Sequence, residues 1–156
     1  MSDSHDNLDA IRKAVRFFNS RQCELVIHAG DFIAPFAAKE LVRLSCGINS
    51  VFGNCDGEKA GLAEIIASFG MIQNEPFAFN YGRRKFLLTH THWANEEHIR
   101  TGKYDVLIYG HTHKPDIRKV GGTLVVNPGE TGGWLTGKNS VAILDSASLE
   151  ADIIVL

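Results

Sequence analysis

Apolar residues in this chain gather in short runs, and each run stops at a small or polar residue. Leu25-Val26-Ile27 leads through His28-Ala29 to Gly30-Asp31, and Val51-Phe52 leads to Gly53-Asn54. Phe86-Leu87-Leu88-Thr89 leads to His90, and Val106-Leu107-Ile108-Tyr109 leads to Gly110-His111-Thr112-His113. Short apolar runs bounded by glycine predict buried strands. Helical spacing fills the gaps between them. Asn7 can cap a helix whose apolar positions are Leu8, Ile11, Val15 and Phe18. Pro35 suits the first turn of a second helix, with Ala37, Leu41 and Leu44 facing inward. A third helix runs from about Lys59 to Ser68, weakened by Gly61 and ended by Gly70. A short fourth helix, from about Asn95 to Thr101, leads through Gly102 to the strand at Asp105.

Phe77 to Asn80 and Lys85 to Thr89 read as a hairpin around Tyr81-Gly82-Arg83-Arg84. From Pro115 onward the texture is mostly strand: Pro115 to Val120, Thr123 to Val126, Ser140 to Leu144 and Ala151 to Leu156. Gly121-Gly122 makes a tight turn. Alternating strand and helix followed by strands predicts an α/β (α+β) protein with two sheets packed face to face and helices outside. The 156 residues fit one domain, 1–156, with no repeat or linker to divide it. Asp3 should follow a buried strand, yet only Met1 and Ser2 precede it. Strands typically run about five or six residues, so the N-terminal strand is expected to be truncated, with residues missing upstream.

Composition narrows the function classes. A hydrophobic share of 44% and a charged share of 22% suit a globular protein. A net charge of −2 makes nucleic acid and anionic membrane poor partners. No apolar stretch approaches the roughly 20 residues of a membrane helix. The opening Met1-Ser2-Asp3-Ser4-His5 has neither the basic nor the apolar part of a signal peptide. Cys23, Cys46 and Cys55 form no paired framework, which predicts reduced thiols and a cytoplasmic location.

The chemistry sits where the runs end. Ligands of open α/β sheets gather outside the carboxyl ends of strands. Side by side, these strands would bring Asp3, His5, Asp31, Asn54, His90, His111 and His113 to one rim. Seven oxygen and nitrogen donors exceed one ordinary ion and suit two that share a carboxylate. The mix of hard oxygen and borderline nitrogen favours manganese, iron, zinc or nickel over calcium. Asp3/His5 and His111/His113 are i, i+2 pairs, which in extended backbone point to one side.

Asp3-Ser4-His5, Gly30-Asp31, Gly53-Asn54, Thr89-His90 and Gly110-His111-Thr112-His113 resemble, in this order, the motifs of the calcineurin-like metallophosphoesterase superfamily. The resemblance is closest to its small single-domain microbial phosphodiesterases and extends from Asp3 to Asn127-Pro128-Gly129-Glu130. It implies a four-layer αββα sandwich with two mixed sheets. Asp3, His5 and His113 would hold one divalent ion, Asn54, His90 and His111 a second, and Asp31 would bridge them. Manganese is the first expectation for both ions, with nickel, iron or zinc as alternatives. The implied reaction is hydrolysis of a small phosphate ester, with a diester as the first expectation, by a hydroxide that the two metals activate. Asn54 would also contact phosphate, and Asp6 and Asp56 would orient ligand histidines. Many members carry an acid histidine directly after the metal-binding asparagine, where this chain has Cys55. His92 is an alternative proton donor.

Other residues have plainer expectations. His28 is expected as a core histidine, His98 as exposed, Arg83-Arg84 as a solvated tip, and Asn127-Pro128-Gly129 as a turn beside the site. Trp93 is expected to stack on substrate, cover the cleft or simply pack. The alternative function is a non-catalytic interaction scaffold of the same fold, like the retromer subunit. Members of this branch often self-associate, so a homo-oligomer is a further expectation.

Overall fold

The structure is a computed structural model that describes residues 1–93 and 95–156. The Asn7 side chain accepts from the Ala10 N–H at 3.2 Å and starts α1 (Leu8–Ser20). Ile11, Ala14, Val15 and Phe18 are buried along one stripe of that helix, as 3.6-residue periodicity requires. The strands β1 (Leu25–His28), β2 (Gly47–Val51) and β3 (Gly70–Gln73) pair in parallel. Parallel pairing needs crossover connections, supplied here by α2 (Pro35–Leu41) and α3 (Lys59–Ile66). All three helices cover the same face of this sheet, sealing Val26, Ile48, Phe32, Leu41 and Leu62 beneath them.

Residues 1–3 extend the sheet on the other side of β1. The Ala29 N–H donates to Met1 O and the Asp3 N–H donates to Gly30 O, both at 3.0 Å. On their far flank, Thr131 N donates to Ser2 O at 2.9 Å, and Ser140 N donates to Glu130 O at 3.0 Å. That stretch leads into β9 (Ser140–Asp145), which pairs antiparallel with β10 (Glu150–Val155). The Met1 α-amine is buried against Ile27 O at 2.8 Å, and desolvation pulls its pKa down to about 5.

The second sheet has the order β4 (Phe77–Tyr81), β5 (Arg84–Leu88), β6 (Val106–Ile108), β8 (Thr123–Asn127), β7 (Asp116–Val120). Side chains alternate across its faces. Phe86, Leu88, Val106, Ile108, Leu124 and Val126 meet Ala29 and Val51 of the first sheet. Leu87, Leu107 and Val125 point outward against Ile99 of α4 (Asn95–Arg100). Burying a side chain of this size is worth about 1.5–3 kcal/mol. The result is the four-layer αββα stack.

Three expectations need correction. Gly70 does not end α3, which stops at Ile66; it opens β3. A Cβ at Gly70 would lie 2.0 Å from Ile48 O, so its missing side chain lets β3 close onto β2. Arg84 is no solvated tip: it is half-buried and donates to Ser146 O at 3.0 Å and Ala147 O at 2.9 Å. His98 is half-buried against the edge of Tyr104, with 6.4 Å between ring centroids.

His28 is the core histidine that the sequence suggests. It is buried and stacks on Phe32 with 3.6 Å between ring centroids. Its Nδ1 accepts from the Gly30 N–H at 3.2 Å, which leaves Nε2 to carry the proton toward Ser4 Oγ, also at 3.2 Å. Burial pushes its pKa well below 6.5, so the folded chain keeps it neutral. The unfolded chain binds a proton here below pH 6.5 and the folded chain does not, so stability falls as pH drops. The loss is roughly 1.4 kcal/mol per pH unit below that point, until the folded pKa is reached. Denaturant unfolding between pH 7.5 and 5 should therefore show a shallower loss for His28→Gln than for the parent. Identical pH profiles would refute a neutral buried His28.

Candidate metal centre

Each donor-bearing loop leaves the carboxyl end of a strand or of the N-terminal segment, and the loops meet around Asp31. His5 Nε2 lies 3.6 Å and His90 Nε2 3.4 Å from Asp31 Oδ2. His113 Nε2 lies 3.6 Å and His5 Nε2 3.9 Å from Asp3 Oδ1. Asn54 Oδ1 sits 2.8 Å from both His90 Nε2 and His111 Nδ1. All seven candidate donors thus come together. Asp3, His5 and His113 can offer ligand atoms within 4.8 Å of one another, and so can Asp3, Asp31 and His90. Asp31 also joins His5 and Cys55 in a third such group, so it belongs to more than one potential coordination set.

Backbone geometry makes this convergence possible. Asp3, His5, Asp31, His111 and His113 all adopt φ between +42° and +67°. L-residues rarely occupy this region, and each instance costs on the order of 1–3 kcal/mol. The two i, i+2 pairs are therefore left-handed rather than extended. The second pair also divides: His111 turns to Asn54 and His113 turns to Asp3. Glycines permit the close approaches. A Cβ at Gly53 would lie 2.0 Å from Asp31 Oδ1, and one at Gly110 would lie 2.9 Å from Asp3 Oδ2. Gly30, at φ +91°, would place a Cβ 2.7 Å from His90 Nδ1.

Electrostatics follows the same geometry. Burial acts to raise the Asp31 pKa, but His90 and the Cys55 N–H overcome it and hold it at about 2. Burial acts to lower the His90 pKa, and Asp31 reverses this and raises it. Asp3 is raised, chiefly by burial. His5 Nε2 is buried without a hydrogen-bond partner among the described residues. An orphaned ring nitrogen beside two carboxylates fits a cation site.

The residues around the donors only partly match expectation. Asp56 orients no histidine: it accepts from the N–H groups of Gly53 at 2.7 Å, Ile33 at 2.8 Å and Asp31 at 3.1 Å. Asp6 accepts from Ala34 N at 3.1 Å. Both carboxylates shape loop backbone. The carboxylate beside a donor histidine is the buried Glu130, 3.2 Å from His113 Nδ1. Glu75, equally unforeseen, accepts from His90 N at 2.5 Å and Thr91 N at 2.8 Å. Neither stands at a spacing that points to a histidine. Asn127 holds the His111 loop through Gly110 O and Thr112 Oγ1, both at 3.0 Å. The Cys55 thiol is exposed, and partial desolvation and Asp31 push its pKa up to about 11. The His92 ring centroid lies 5.9 Å from that of His111, and its Nδ1 is buried with no partner among the described residues. A cavity of about 600 Å³ lies elsewhere, between β1 and β9 beside Met1, Tyr81 and Leu144.

The Gly53 contact yields a direct test. Gly53→Ala must displace Asp31, so Mn²⁺ affinity measured by calorimetry should fall roughly tenfold or more, the scale seen when ligand-orienting contacts are lost. Unchanged affinity would mean that Asp31 tolerates displacement.

Residues 1–148 match the calcineurin-like phosphoesterase superfamily domain. A phosphodiesterase of Methanocaldococcus jannaschii is 42% identical, the match covering 100% of this chain and 96% of that protein. A solved structure of an archaeal phosphodiesterase superposes with a TM-score of 0.94 at 42% identity, covering 100% of this chain and 97% of that one. Zinc-bound Vps29 from Entamoeba histolytica gives 0.68 at 21% identity, covering 92% and 88%, a likeness of fold alone. Matched along nearly its whole length, this chain belongs to the calcineurin-like phosphoesterase superfamily.

Proposed function

We propose that this protein is a metal-dependent phosphodiesterase that hydrolyses small phosphate esters. The observation that carries the reading is Asp31, a carboxylate held ionised with donor histidines around it. The 42% identity to a phosphodiesterase supports the reaction class. Asp3, His5 and His113 would hold one divalent ion, and Asn54, His90 and His111 a second, with Asp31 shared between them. Manganese is the leading candidate, and nickel, iron or zinc would suit the same donors. When bound, the ions would supply Lewis acidity that makes water nucleophilic near neutral pH and offsets charge on the phosphoryl oxygens.

The chain's own groups supply the rest. Asn54 is exposed, and its Nδ2 faces the weak acceptor Cys55 Sγ at 3.2 Å, so the amide can donate to a phosphate oxygen instead. His92, whose ring lies 5.9 Å from that of His111, is a better candidate to protonate a departing alcohol than Cys55, whose thiol pKa is pushed up to about 11. The three free cysteines support a cytoplasmic setting. No helix among the described residues is long and apolar enough to cross a membrane. Self-association remains part of the proposal. A non-catalytic scaffold would leave seven convergent donors without a role.

Two measurements test this reading. Metal-stripped protein given Mn²⁺, Ni²⁺, Zn²⁺ or Mg²⁺ should turn over an aryl phosphodiester faster than an aryl phosphomonoester. Asp31→Asn should lower that turnover on the order of a hundredfold or more. No turnover with any ion would overturn the proposal. His92→Ala should slow diesters with alkyl leaving groups on the order of a hundredfold, the scale of general acid catalysis, and slow aryl diesters far less. Equal losses on both would remove His92 from that role.

A further inference from the structure

Both tryptophans of the chain, Trp93 and Trp134, stand at the donor cluster. Each is largely exposed, at 73% and 65%, in a protein whose other aromatic side chains are mostly packed inside. Trp93 tilts against His92 with 4.3 Å between centroids and lies 5.8 Å from the His111 ring. It stands at the end of the site where His90 and His111 meet Asn54. Trp134 stands at the other end, where the His5 and His113 rings stack with 5.1 Å between centroids. Its indole N–H donates to His5 O at 3.0 Å. The ring's one polar atom is thereby satisfied, and the aromatic surface is left open.

The loop that carries Trp134 is built to hold it there. The buried Glu130 carboxylate accepts from Leu135 N at 3.0 Å, and from Thr136 N and Thr136 Oγ1 at 2.9 Å each. Asn139 Nδ2 clamps the loop's start through Thr131 O and Gly132 O, both at 3.0 Å. Glu130 therefore touches His113 through one oxygen and fixes the tryptophan loop through both. Exposed indoles held in place beside a polar centre bind flat rings by stacking, a contact tolerant of ring identity.

We propose that Trp93 and Trp134 form an aromatic clamp and that the physiological substrate is a small phosphodiester bearing a planar ring of nucleobase type. The proposal rests on the phosphoesterase reading and adds to it the chemistry of the alcohol. The phosphate would sit among the donors, and the ring would lie against an indole at the rim. A net charge of −2 gives long polyanionic strands no broad electrostatic attraction, which favours short nucleotide esters.

Indole fluorescence, excited beyond the tyrosine absorption band, reads the clamp directly, because these two residues are the chain's tryptophans. Zn²⁺-loaded protein is titrated with adenosine 5′-monophosphate, and binding of ribose 5-phosphate is followed by calorimetry. The nucleotide should quench saturably and bind roughly tenfold or more tighter than the sugar phosphate, the scale of one base stacked on an aromatic ring. By calorimetry, removing the indole that the base lies against, by Trp93→Leu or Trp134→Leu, should weaken nucleotide binding severalfold, the double variant should do so at least as much, and all should leave ribose 5-phosphate binding unchanged. Both residues are exposed, so unfolding midpoints should hold; a variant that fails to fold is replaced by Trp→Phe, for which a smaller loss is expected. Equal affinity for the two ligands, or variants that bind the nucleotide as the parent does, would overturn the clamp and spare the phosphoesterase site. Binding of neither ligand would also overturn the clamp, while the aryl diester assay decides the phosphoesterase reading separately.

Discussion

Asp31 lies so close to the Gly53 backbone that no side chain fits between them, and much of the site follows from that contact. Cys55 N donates to its Oδ1 at 2.8 Å, while Asp56 collects the N–H groups of Gly53 and Asp31. One carboxylate is thus held by a backbone donor of the β2–α3 loop, and its neighbour Asp56 ties the β1 and β2 loops together. The other oxygen, Oδ2, faces His5 Nε2 at 3.6 Å and His90 Nε2 at 3.4 Å. A larger residue at Gly30, Gly53 or Gly110 would separate strands whose spacing the hydrophobic layers have already set.

The layers and the site constrain each other. Sheet-to-sheet packing of Phe86, Leu88, Val106 and Ile108 against Ala29 and Val51 brings the carboxyl ends of both sheets level. Asp3, His5, Asp31 and Asn54 come from the first sheet's loops, while His90, His111 and His113 come from the second. The left-handed backbone at five of these positions would be unfavourable in isolation. The surrounding hydrogen bonds hold it, among them His111 N to Asp3 at 3.2 Å and Asp3 N to Gly30 O at 3.0 Å.

Much of this was legible in the primary structure, because apolar runs have periods that geometry dictates. The stripe on α1, the hairpin at Gly82-Arg83 and the turn at Gly121-Gly122 all follow from such patterns. The donors could be read from position, since each closes a buried run. Other features have no local signature. β3 is an edge strand of four residues with half-buried alternation, so its composition says little. Glu130 and Glu75 act on residues 17 upstream and 15 downstream, through contacts that exist only once both sheets are packed. The i, i+2 pairs misled for a physical reason: extended backbone is the default, and left-handed geometry at non-glycine residues emerges only under tertiary constraint.

Because the donors come from both sheets, any cation seated among them would act as a rivet through the sandwich. Binding energy spent on that rivet would also resist parting of the layers, since a ligand that favours the folded state stabilises it in proportion to its occupancy. Durability of the fold would then depend on metal supply, and scarcity would weaken the scaffold as well as silence the chemistry.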